Sequence, residues 1–338
     1  MNKQNQIRVG LIGCGQHGVS LAQAIRQSSC LKLVACADPN QEAASVVAKL
    51  PDEVAIYSNM QEIVYDGVVD AVILATPPHL LYETALAAIH AGKHVFAEKP
   101  IGIDEKEAIQ LEEAVARAGV CYMSGYSFRY CAALQQIHSL LQAGAVGEIV
   151  AVVGSIGVGS MSSGWHASPV TGGGPMLYVG SHLVDEVLWF VNHKAVEVSA
   201  KVHYRADTKA DETATFTIHF ANGVSAQCLV TQAGDGFVNN LDIHGRRGRI
   251  SLRGVDYLNY AIEVVSKTLP AYTEPTYIHP RIWGDPKLAM LVPELEEFAA
   301  AIHEQRQPAI TVSDGRQVLR VLDAVVKSDR SGERVRMG

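Results

Sequence analysis

The hydrophobic residues in the first half of the chain fall into short apolar runs, separated by longer stretches with helical spacing. The apolar runs predict strands at residues 7–12, 31–37, 71–75, 94–97 and 120–124. The stretches between them predict helices at residues 19–27, 41–50, 80–91 and 105–118, the last of which Asp104 can cap. Strands that are apolar along their whole length are buried on both faces. The alternation therefore predicts a parallel sheet with helices on both sides.

After about residue 125 the pattern changes to one dominated by strands. A helix is predicted at residues 132–142 and another at 180–190, the second after a Gly172-Gly173-Gly174 loop. Alternating positions predict strands at residues 149–157, 196–204, 213–220, 224–230, 240–244 and 249–252. The turn signal Asn222-Gly223 joins two of these strands, because both residues tolerate positive φ. Two helices are predicted at the end, at residues 288–302 and 315–327. Together, these elements predict an α+β domain built on a mainly antiparallel, open sheet.

Composition and charge narrow the class of protein. Of the 338 residues, 48% are apolar and 19% are charged, which is enough apolar material for two cored domains. The net charge of −7 argues against nucleic-acid binding. The polar start is too short for a signal peptide, and no apolar run approaches the roughly 20 residues of a membrane span. Six cysteines without a Cys-x-x-Cys pair predict reduced thiols. We therefore expect a cytoplasmic protein with no membrane or nucleic-acid partner.

A glycine motif follows the first predicted strand and opens the first helix. Gly13-Cys14-Gly15-Gln16-His17-Gly18 matches G-x-G-x-x-G, the phosphate-binding turn of dinucleotide-binding domains. Gly13 allows the tight turn, Gly15 lets the backbone approach the pyrophosphate, and Gly18 lets helix and strand pack closely. Gln16 and His17 stand at the helix N-terminus, whose N–H groups and dipole favour phosphate. The alternative interpretation is a glycine-rich turn without a ligand.

The second strand ends in Asp38, twenty positions after Gly18. A carboxylate at this place accepts hydrogen bonds from the ribose hydroxyls of NAD and repels the 2′-phosphate of NADP. The sequence therefore predicts NAD rather than NADP, although Asp38-Pro39 can also be a turn or a helix cap. With this fingerprint, the fold class is α/β plus α+β: a Rossmann domain at residues 1–124 and a substrate-binding and oligomerisation domain at 125–338. Whether the last helix, about 315–327, packs back on the first domain stays open.

Two further motifs follow predicted strands of the first domain. Thr76-Pro77-Pro78-His79 follows the strand at 71–75, and Glu98-Lys99-Pro100 follows the strand at 94–97. Both stand at carboxyl ends of parallel strands, where open α/β sheets bind ligands. Together with the glycine motif and the stretch Gly172-Gly173-Gly174 to Gly180-Ser181-His182-Leu183-Val184-Asp185, they give nearly the whole chain a resemblance to the glucose-fructose oxidoreductase / inositol dehydrogenase / MocA family.

The resemblance implies that Lys99 contacts both the nicotinamide ribose and the substrate hydroxyl. Members of the family mostly oxidise or reduce sugars and cyclitols. An alcohol that gives up hydride must also lose a proton, and a lysine made less basic by burial can take it. Around Lys99, we expect Thr76 and Pro77 to line the cofactor site, and Glu98 either to pair with a group beside Lys99 or to line the same site. His79 either contacts the cofactor or caps its helix.

A second candidate group stands on the helix at 180–190. His182 and Asp185 lie at i and i+3, so Asp185 can orient the imidazole, and His182 is expected to hydrogen-bond the reacting oxygen. The alternative is a structural pair with no substrate contact. Many members of the family carry aspartate four residues before this histidine, where this chain has Tyr178. Because tyrosine is neutral at pH 7, our hypothesis is that Lys99 has a depressed pKa and acts as a neutral base. Tyr178 can also be a packed residue.

Other residues are weaker candidates. Tyr126 and Arg129 follow the strand at 120–124 and are expected at the edge of the cleft. Trp165 can stack on a sugar face or simply anchor its loop. No metal-binding spacing such as H-E-x-x-H occurs, and we predict no metal.

The function predicted from these residues is an NAD(P)-dependent oxidoreductase acting on a secondary alcohol of a sugar, polyol or cyclitol, with Lys99 and His182 as proton-transfer residues. An NAD-dependent glycosidase of the same fold and a non-catalytic dinucleotide sensor are the alternatives. An open antiparallel sheet needs cover on one face, so a homodimer or homotetramer through the second-domain sheet is expected, as the resemblance also implies.

Overall fold

The chain folds into two compact units. The structure is a computed structural model and describes residues 6–49, 54–161, 164–234, 236–256 and 259–338. The first unit comprises Met1–Ser127 and Lys287–Arg316, and the second comprises Phe128–Pro286 and Gln317–Gly338. Residues 287–316 thus belong with the Rossmann unit, whereas the sequence places residues 125–338 together and leaves open only the return of the helix at 315–327.

A parallel sheet forms the centre of the first unit. Its described strands are β1 (Ile7–Ile12), β2 (Leu31–Ala37), β3 (Ala55–Tyr57), β4 (Ala71–Leu74), β5 (His94–Glu98) and β6 (Tyr122–Gly125). They pair in the order β3-β2-β1-β4-β5-β6, and every pair is parallel. The order reverses between β1 and β4, and ligands of such sheets bind beyond the carboxyl ends of the strands at this reversal. The predicted Rossmann sheet is confirmed.

Helices connect these strands as the apolar spacing predicts. They are α1 (Gln16–Gln27), α2 (Gln41–Ala48), α3 (Met60–Val64), α4 (Pro78–His90) and α5 (Glu105–Ala118). The cap of α5 is confirmed, because the Asp104 carboxylate accepts a hydrogen bond from the backbone N–H of Glu107. Gly119, at φ +67°, ends this helix in the left-handed conformation that favours glycine. The sequence missed α3 and β3, which are only five and three residues long.

The second unit is built on a mainly antiparallel sheet, as predicted. Its described strands are β7 (Ile149–Gly157), β8 (Ala195–Tyr204), β9 (Asp211–Phe220), β10 (Ser225–Thr231), β11 (Val238–Gly245), β12 (Gly248–Gly254), β13 (Tyr260–Ser266), β14 (Thr276–Ile278) and β15 (Val335–Arg336). They pair in the order β14-β13-β12-β11-β7-β10-β9-β8-β15. Among the described pairs, only β7 with β10 is parallel. The three strands that come last in the sequence, β13, β14 and β15, were not predicted.

Two helices pack on one face of this sheet. They are α6 (Ala132–Gln142), which contacts β13, and α7 (Ser181–Val191), which contacts β7 and β10. Gly154 on β7 makes room for α7, because a Cβ there would lie 2.7 Å from Leu183 Cδ1. On the opposite face, the side chains of Val153 and Leu229 remain 43% and 37% exposed on central strands.

Two long helices complete the fold, α8 (Pro286–His303) and α9 (Val312–Ser331). α8 belongs almost entirely to the first unit, where Phe298 packs edge-on against Phe96 of β5 with ring centroids 5.9 Å apart. The first turn of α9 also belongs to that unit, and Arg316 there pairs with Glu112 of α5 at 2.6 Å. The remainder of α9 belongs to the second unit.

Candidate active site

The glycine motif forms a turn whose three glycines have different surroundings. Gly13 has φ +96°, and a Cβ there would lie 2.6 Å from the Ala75 carbonyl oxygen. A Cβ at Gly18 would lie 2.1 Å from the Gly13 oxygen. A Cβ at Gly15 would meet no atom within 4 Å. Gly13 and Gly18 are therefore required by packing, whereas Gly15 borders open space that a pyrophosphate can occupy.

The N-terminus of α1 is suited to an anion. Its first turn has no acidic residue, and no side chain caps it at Gly15. The backbone N–H groups near Gln16 and His17 therefore belong to a helix end that carries partial positive charge and is open to an anion. The geometry fits the phosphates of a dinucleotide.

Asp38 connects the glycine turn to the loop after β2 through two hydrogen bonds. Its Oδ2 accepts a hydrogen bond from the backbone N–H of Cys14 at 2.7 Å, and its Oδ1 accepts from the N–H of Asn40 at 2.8 Å. A carboxylate has about four acceptor sites, so the ribose hydroxyls of a dinucleotide can still donate to it. Asn40, rather than Asp38, caps α2 by accepting from Glu42 and Ala43. The cap alternative for Asp38 is therefore wrong, whereas the turn alternative agrees with the hydrogen bond from Asn40.

The carboxyl end of β4 lies directly beside this turn. A Cβ at Gly13 would be 3.1 Å from the backbone nitrogen of Thr76, which places Thr76 against the phosphate loop. The Thr76 Oγ1 atom is buried and has no hydrogen-bond partner within the described part of the chain. Pro77 stands at the N-cap of α4, and His79 lies in its first turn. An unmatched hydroxyl at this place fits a polar cofactor.

The carboxyl end of β5 carries Glu98 and Lys99. Glu98 is buried, its Oε1 lies 2.7 Å from His17 Nε2, and its Oε2 accepts from the Lys99 N–H at 3.3 Å. Burial disfavours the charged form of Glu98, but the charges of His17 and Lys99 and their hydrogen bonds outweigh it and lower the pKa of Glu98. The pair brings residues 17 and 98 together, a contact that the sequence did not predict.

Lys99 is half-buried and is followed by a cis peptide bond to Pro100. Burial lowers the pKa of the Lys99 amine to about 8, although the neighbouring Glu98 charge acts in the opposite direction. A substantial fraction of this amine is neutral near pH 8, which is the form that accepts a proton. The direction agrees with the hypothesis of a depressed Lys99 pKa. The link to Tyr178 stays a prediction.

In the second unit, His182 stands in the first turn of α7 and is buried. Its imidazole stacks on the Phe128 ring, with centroids 4.0 Å apart and planes 12° apart. Asp185, one turn later, accepts two hydrogen bonds from Arg129, from Nε at 2.8 Å and from Nη2 at 2.6 Å. The proposed orientation of His182 by Asp185 stays a prediction. Arg129 is a partner of Asp185, a role that its sequence position did not indicate.

Tyr178 lies in a π-helical turn, Met176–Gly180, that leads into α7. Its ring makes edge contacts with Trp165, at 5.9 Å between centroids, and with His166, at 4.8 Å. Burial raises the pKa of the Tyr178 hydroxyl, so it is neutral at pH 7. Single-turn π bulges inside helices occur frequently at functional sites. The structure therefore brings Tyr178 and Trp165, two of the predicted substrate residues, into one aromatic cluster.

A buried carboxylate holds the start of this turn. Asp211 of β9 accepts a hydrogen bond from the Met176 N–H at 2.8 Å, and burial raises the pKa of Asp211 to about 6. Gly174 has φ +110°, and a Cβ there would lie 1.9 Å from Asp211 Oδ1. The absence of a side chain at Gly174 therefore leaves the space that the Asp211 carboxylate occupies. No local signal in the sequence indicates this contact, because the two residues lie on separate elements.

Tyr126 is completely buried in the first unit. Its predicted contact with substrate stays a prediction. In the described residues, no group of three or more His, Cys, Asp or Glu side chains is placed to hold a metal ion. None of the described helices is both long and apolar enough to cross a membrane.

Comparisons with known proteins bear on both units. Residues 7–126 match the model of the oxidoreductase family with an NAD-binding Rossmann fold, and residues 134–251 match the GFO/IDH/MocA C-terminal domain. An uncharacterised oxidoreductase of Synechocystis sp. is 27% identical over 93% of this chain and 92% of that protein. Levoglucosan dehydrogenase of Pseudarthrobacter phenanthrenivorans is 25% identical over 86% of each chain.

Among solved structures, a levoglucosan dehydrogenase in complex with NADH superposes with a TM-score of 0.89 over 98% of this chain and 99% of that one. At 23% identity this likeness shows the fold. The predictions of an enzyme, of an NAD-binding domain and of the family are confirmed. The chain belongs to the Gfo/Idh/MocA family of oxidoreductases and binds NAD through its Rossmann unit.

Proposed function

We propose that this protein transfers hydride between NAD and a secondary alcohol of a sugar, polyol or cyclitol. The observation that carries the proposal is Lys99, a half-buried amine with a pKa lowered to about 8, at the carboxyl end of β5 in the NAD-binding unit. Relatives named levoglucosan dehydrogenase and inositol 2-dehydrogenase support a polyhydroxylated substrate.

Lys99 acts as the base in this proposal. NAD, when bound, supplies the hydride acceptor. As the carbinol C–H gives up hydride, the O–H proton passes to the neutral Lys99 amine, which leaves a ketone and a lysine ammonium. Oxidation should therefore accelerate as pH rises through about 8, because the neutral amine becomes the main form. The reverse reaction needs the ammonium and should slow over the same range.

The second unit supplies the groups that hold the alcohol. His182 is immobilised by its stack on Phe128, which suits a hydrogen bond to the reacting oxygen. Trp165 offers an apolar face for a sugar ring, and Tyr178 offers a neutral hydroxyl beside it. Asp185 and Arg129 form a buried ion pair, and the contacts of either residue with substrate stay predictions. Tyr178 is neutral at pH 7 and stands where many members of the family carry aspartate.

NAD is preferred over NADP because of Asp38. Its carboxylate is fixed by the Cys14 and Asn40 amides, so it cannot readily turn away from a 2′-phosphate. Gly13, Gly15 and Gly18 shape the pyrophosphate site. The lining residues are Gln16, His17, Thr76, Pro77, His79, Glu98 and Lys99.

A substrate panel tests the proposal. Sugars, polyols, cyclitols and sugar phosphates are each incubated with NAD or NADP, and the reduced nicotinamide is followed by absorbance. Lys99→Met should abolish turnover while NADH binding, read by its fluorescence, persists. Lys106→Met, on the exposed surface of α5, is the matched control and should behave as wild type. Equal turnover of wild type and Lys99→Met would refute the role of Lys99.

The same panel separates the alternatives. Aglycone release without net NADH would identify an NAD-dependent glycosidase. Tight NADH binding without turnover of any compound would favour a dinucleotide sensor. For His182, the variant His182→Asn should lower kcat, whereas His203→Asn, on the exposed side of β8, should not.

We also propose that the open face of the second-unit sheet joins two copies of the chain. Val153 and Leu229 are exposed on its central strands, and the ion pairs Arg253–Asp242 and Arg249–Glu263 flank them. A face that carries both signs of charge around an apolar centre can complement itself across a two-fold axis. Val153→Lys with Leu229→Lys should convert a dimer or tetramer to a monomer in light scattering, and a monomeric wild type would refute this.

A further inference from the structure

Glu186 is a carboxyl group buried inside the second unit, one turn of α7 beyond His182. Its side chain is 0% exposed, and no cation among the described residues lowers its pKa. Its Oε1 accepts a hydrogen bond from Nδ2 of Asn239 on β11 at 3.0 Å. Asn239 is also 0% exposed. An anionic carboxylate in such a place is strongly disfavoured.

The same two residues leave two oxygens unmatched. Glu186 Oε2 and Asn239 Oδ1 are both buried, and neither has a hydrogen-bond partner in the described part of the chain. Both atoms are acceptors when the carboxyl group is ionised. Two buried acceptors without donors are a large cost for one pair of residues. A single proton on Glu186 Oε2 would turn that atom into a donor and supply what Asn239 Oδ1 lacks.

We propose that Glu186 is a neutral carboxylic acid joined to Asn239 by two hydrogen bonds, and that this pair fixes α7 to β11 and so positions His182. In the pair, Asn239 Nδ2 donates to Glu186 Oε1, and Glu186 Oε2 donates to Asn239 Oδ1. Glu186 and His182 lie at i and i+4 on one helix, so restraint at one restrains the other. The role of His182 rests on the proposed function, but the acid–amide pair does not.

The groups that face Glu186 support the neutral form. Asp185 on the same helix is negatively charged, and its own charge is balanced by Arg129. Cys228 on β10 and Cys131, at the start of α6, are the other titratable neighbours, and burial raises the pKa of both thiols. Burial, with a smaller contribution from Asp185, raises the pKa of Glu186 to about 8, against the hydrogen bond from Asn239. Burial and the Asp185 charge therefore disfavour the anionic form of Glu186, and the two neutral thiols offer it no counter-charge.

The sign of the pH dependence follows from this protonation. Between the ordinary glutamate pKa of about 4.3 and the folded pKa of about 8, the folded state keeps a proton that the unfolded state has released. Rising pH therefore favours unfolding across this window. The stabilisation that the proton on Glu186 provides is complete below the ordinary glutamate pKa and is lost as pH rises to the folded pKa of about 8.

Glu186→Gln tests the inference directly, because a glutamine amide copies the neutral acid in shape and in both hydrogen bonds. Infrared difference spectra of wild type minus Glu186→Gln at pH 6 should show a protonated carboxyl C=O band. Wild type should lose melting temperature relative to Glu186→Gln by about 3 °C per pH unit between pH 5 and 8. Glu274→Gln, an exposed glutamate of the same unit, is the control and should show neither effect.

Activity provides the test of positioning. Glu186→Leu should lower kcat about tenfold or more and leave the KM for NAD unchanged, while Glu186→Gln should retain wild-type kcat. If no substrate is found, the proposed function fails, but the infrared and melting tests still decide the acid–amide pair. A carboxylate band in place of the acid band, or a pH-independent difference in melting temperature, would overturn the inference. Equal kcat in Glu186→Leu and wild type would overturn the positioning role.

Discussion

The Arg129–Asp185 pair offers a sharp test of how the second unit is held together. Its side chains are only 10% and 2% exposed and form two hydrogen bonds of 2.8 and 2.6 Å. In Arg129→Leu, the Asp185 carboxylate stays buried without its partner, which typically costs about 3–5 kcal/mol. Arg129 also lies 5.6 Å from the Trp189 ring centroid, and loss of that cation–π contact adds about 0.5–1 kcal/mol. At about 2–4 °C per kcal/mol, the melting temperature should fall by roughly 10 °C.

A double-mutant cycle isolates the pair. Arg129→Leu, Asp185→Leu and the double variant are unfolded in urea, and the free energy of unfolding is taken from each midpoint and slope. The double variant should lose much less than the sum of the two single variants, because it contains no unpaired buried charge. We expect a coupling energy of about 3 kcal/mol.

An exposed pair of the same geometry serves as the control. Arg8 donates two hydrogen bonds to Asp70, from Nε at 2.8 Å and from Nη2 at 2.6 Å, but its side chain is 44% exposed. Arg8→Leu should destabilise the protein much less than Arg129→Leu, because water screens an exposed pair. The reasoning fails if Arg129→Leu costs no more than Arg8→Leu, or if the energies of the two single variants at Arg129 and Asp185 simply add.

Four further substitutions separate packing and helix capping from cofactor binding in the first unit. Gly15→Ala should leave the melting temperature unchanged but weaken NADH binding roughly tenfold in a fluorescence titration, because its Cβ enters open space. Gly18→Ala should instead destabilise the fold by about 1–3 kcal/mol, since its Cβ would lie 2.1 Å from a carbonyl oxygen. Asp38→Ala should raise the ratio of kcat/KM with NADP to that with NAD, and an unchanged ratio would contradict its role. Asp104→Ala should cost about 1 kcal/mol in urea unfolding through the lost cap, and a change within error would contradict the cap.

Local patterns predict much of the fold. The bounds of α5, α6 and β7 agree with the sequence interpretation, because amphipathic spacing, the Asp104 cap and alternation are all visible within one element. The short β3 and α3 are missed because three to five residues are too few to show the spacing of a strand or a helix in the sequence. Strand β13 alternates regularly in burial, but Ala261 and Val265 stand at its less buried positions, so the apolar pattern in the sequence does not alternate and the strand was not predicted.

The candidate site likewise contains motifs that the sequence reveals and contacts that it does not. The glycine turn and the Glu98-Lys99-Pro100 motif are recognisable because their residues are adjacent in sequence. The partners of those residues are not. His17 meets Glu98 across 81 positions, and Arg129 meets Asp185 across 56. Sequence spacing places Asp185 beside His182 on a helix, but it cannot reveal that Arg129 occupies both carboxylate oxygens.

By itself, the sequence determined the fold class and the NAD-binding turn, because each follows from short-range periodicity or from a contiguous motif. The roles of Lys99 and His182 stay predictions. Only the tertiary structure decided which groups surround the carboxyl groups. The structure pairs Asp185 with an arginine, Glu98 with a histidine, and buries Glu186 beside an amide. Charge state depends on burial and on partners that approach from distant parts of the chain, and neither quantity is a property of a residue's sequence neighbours.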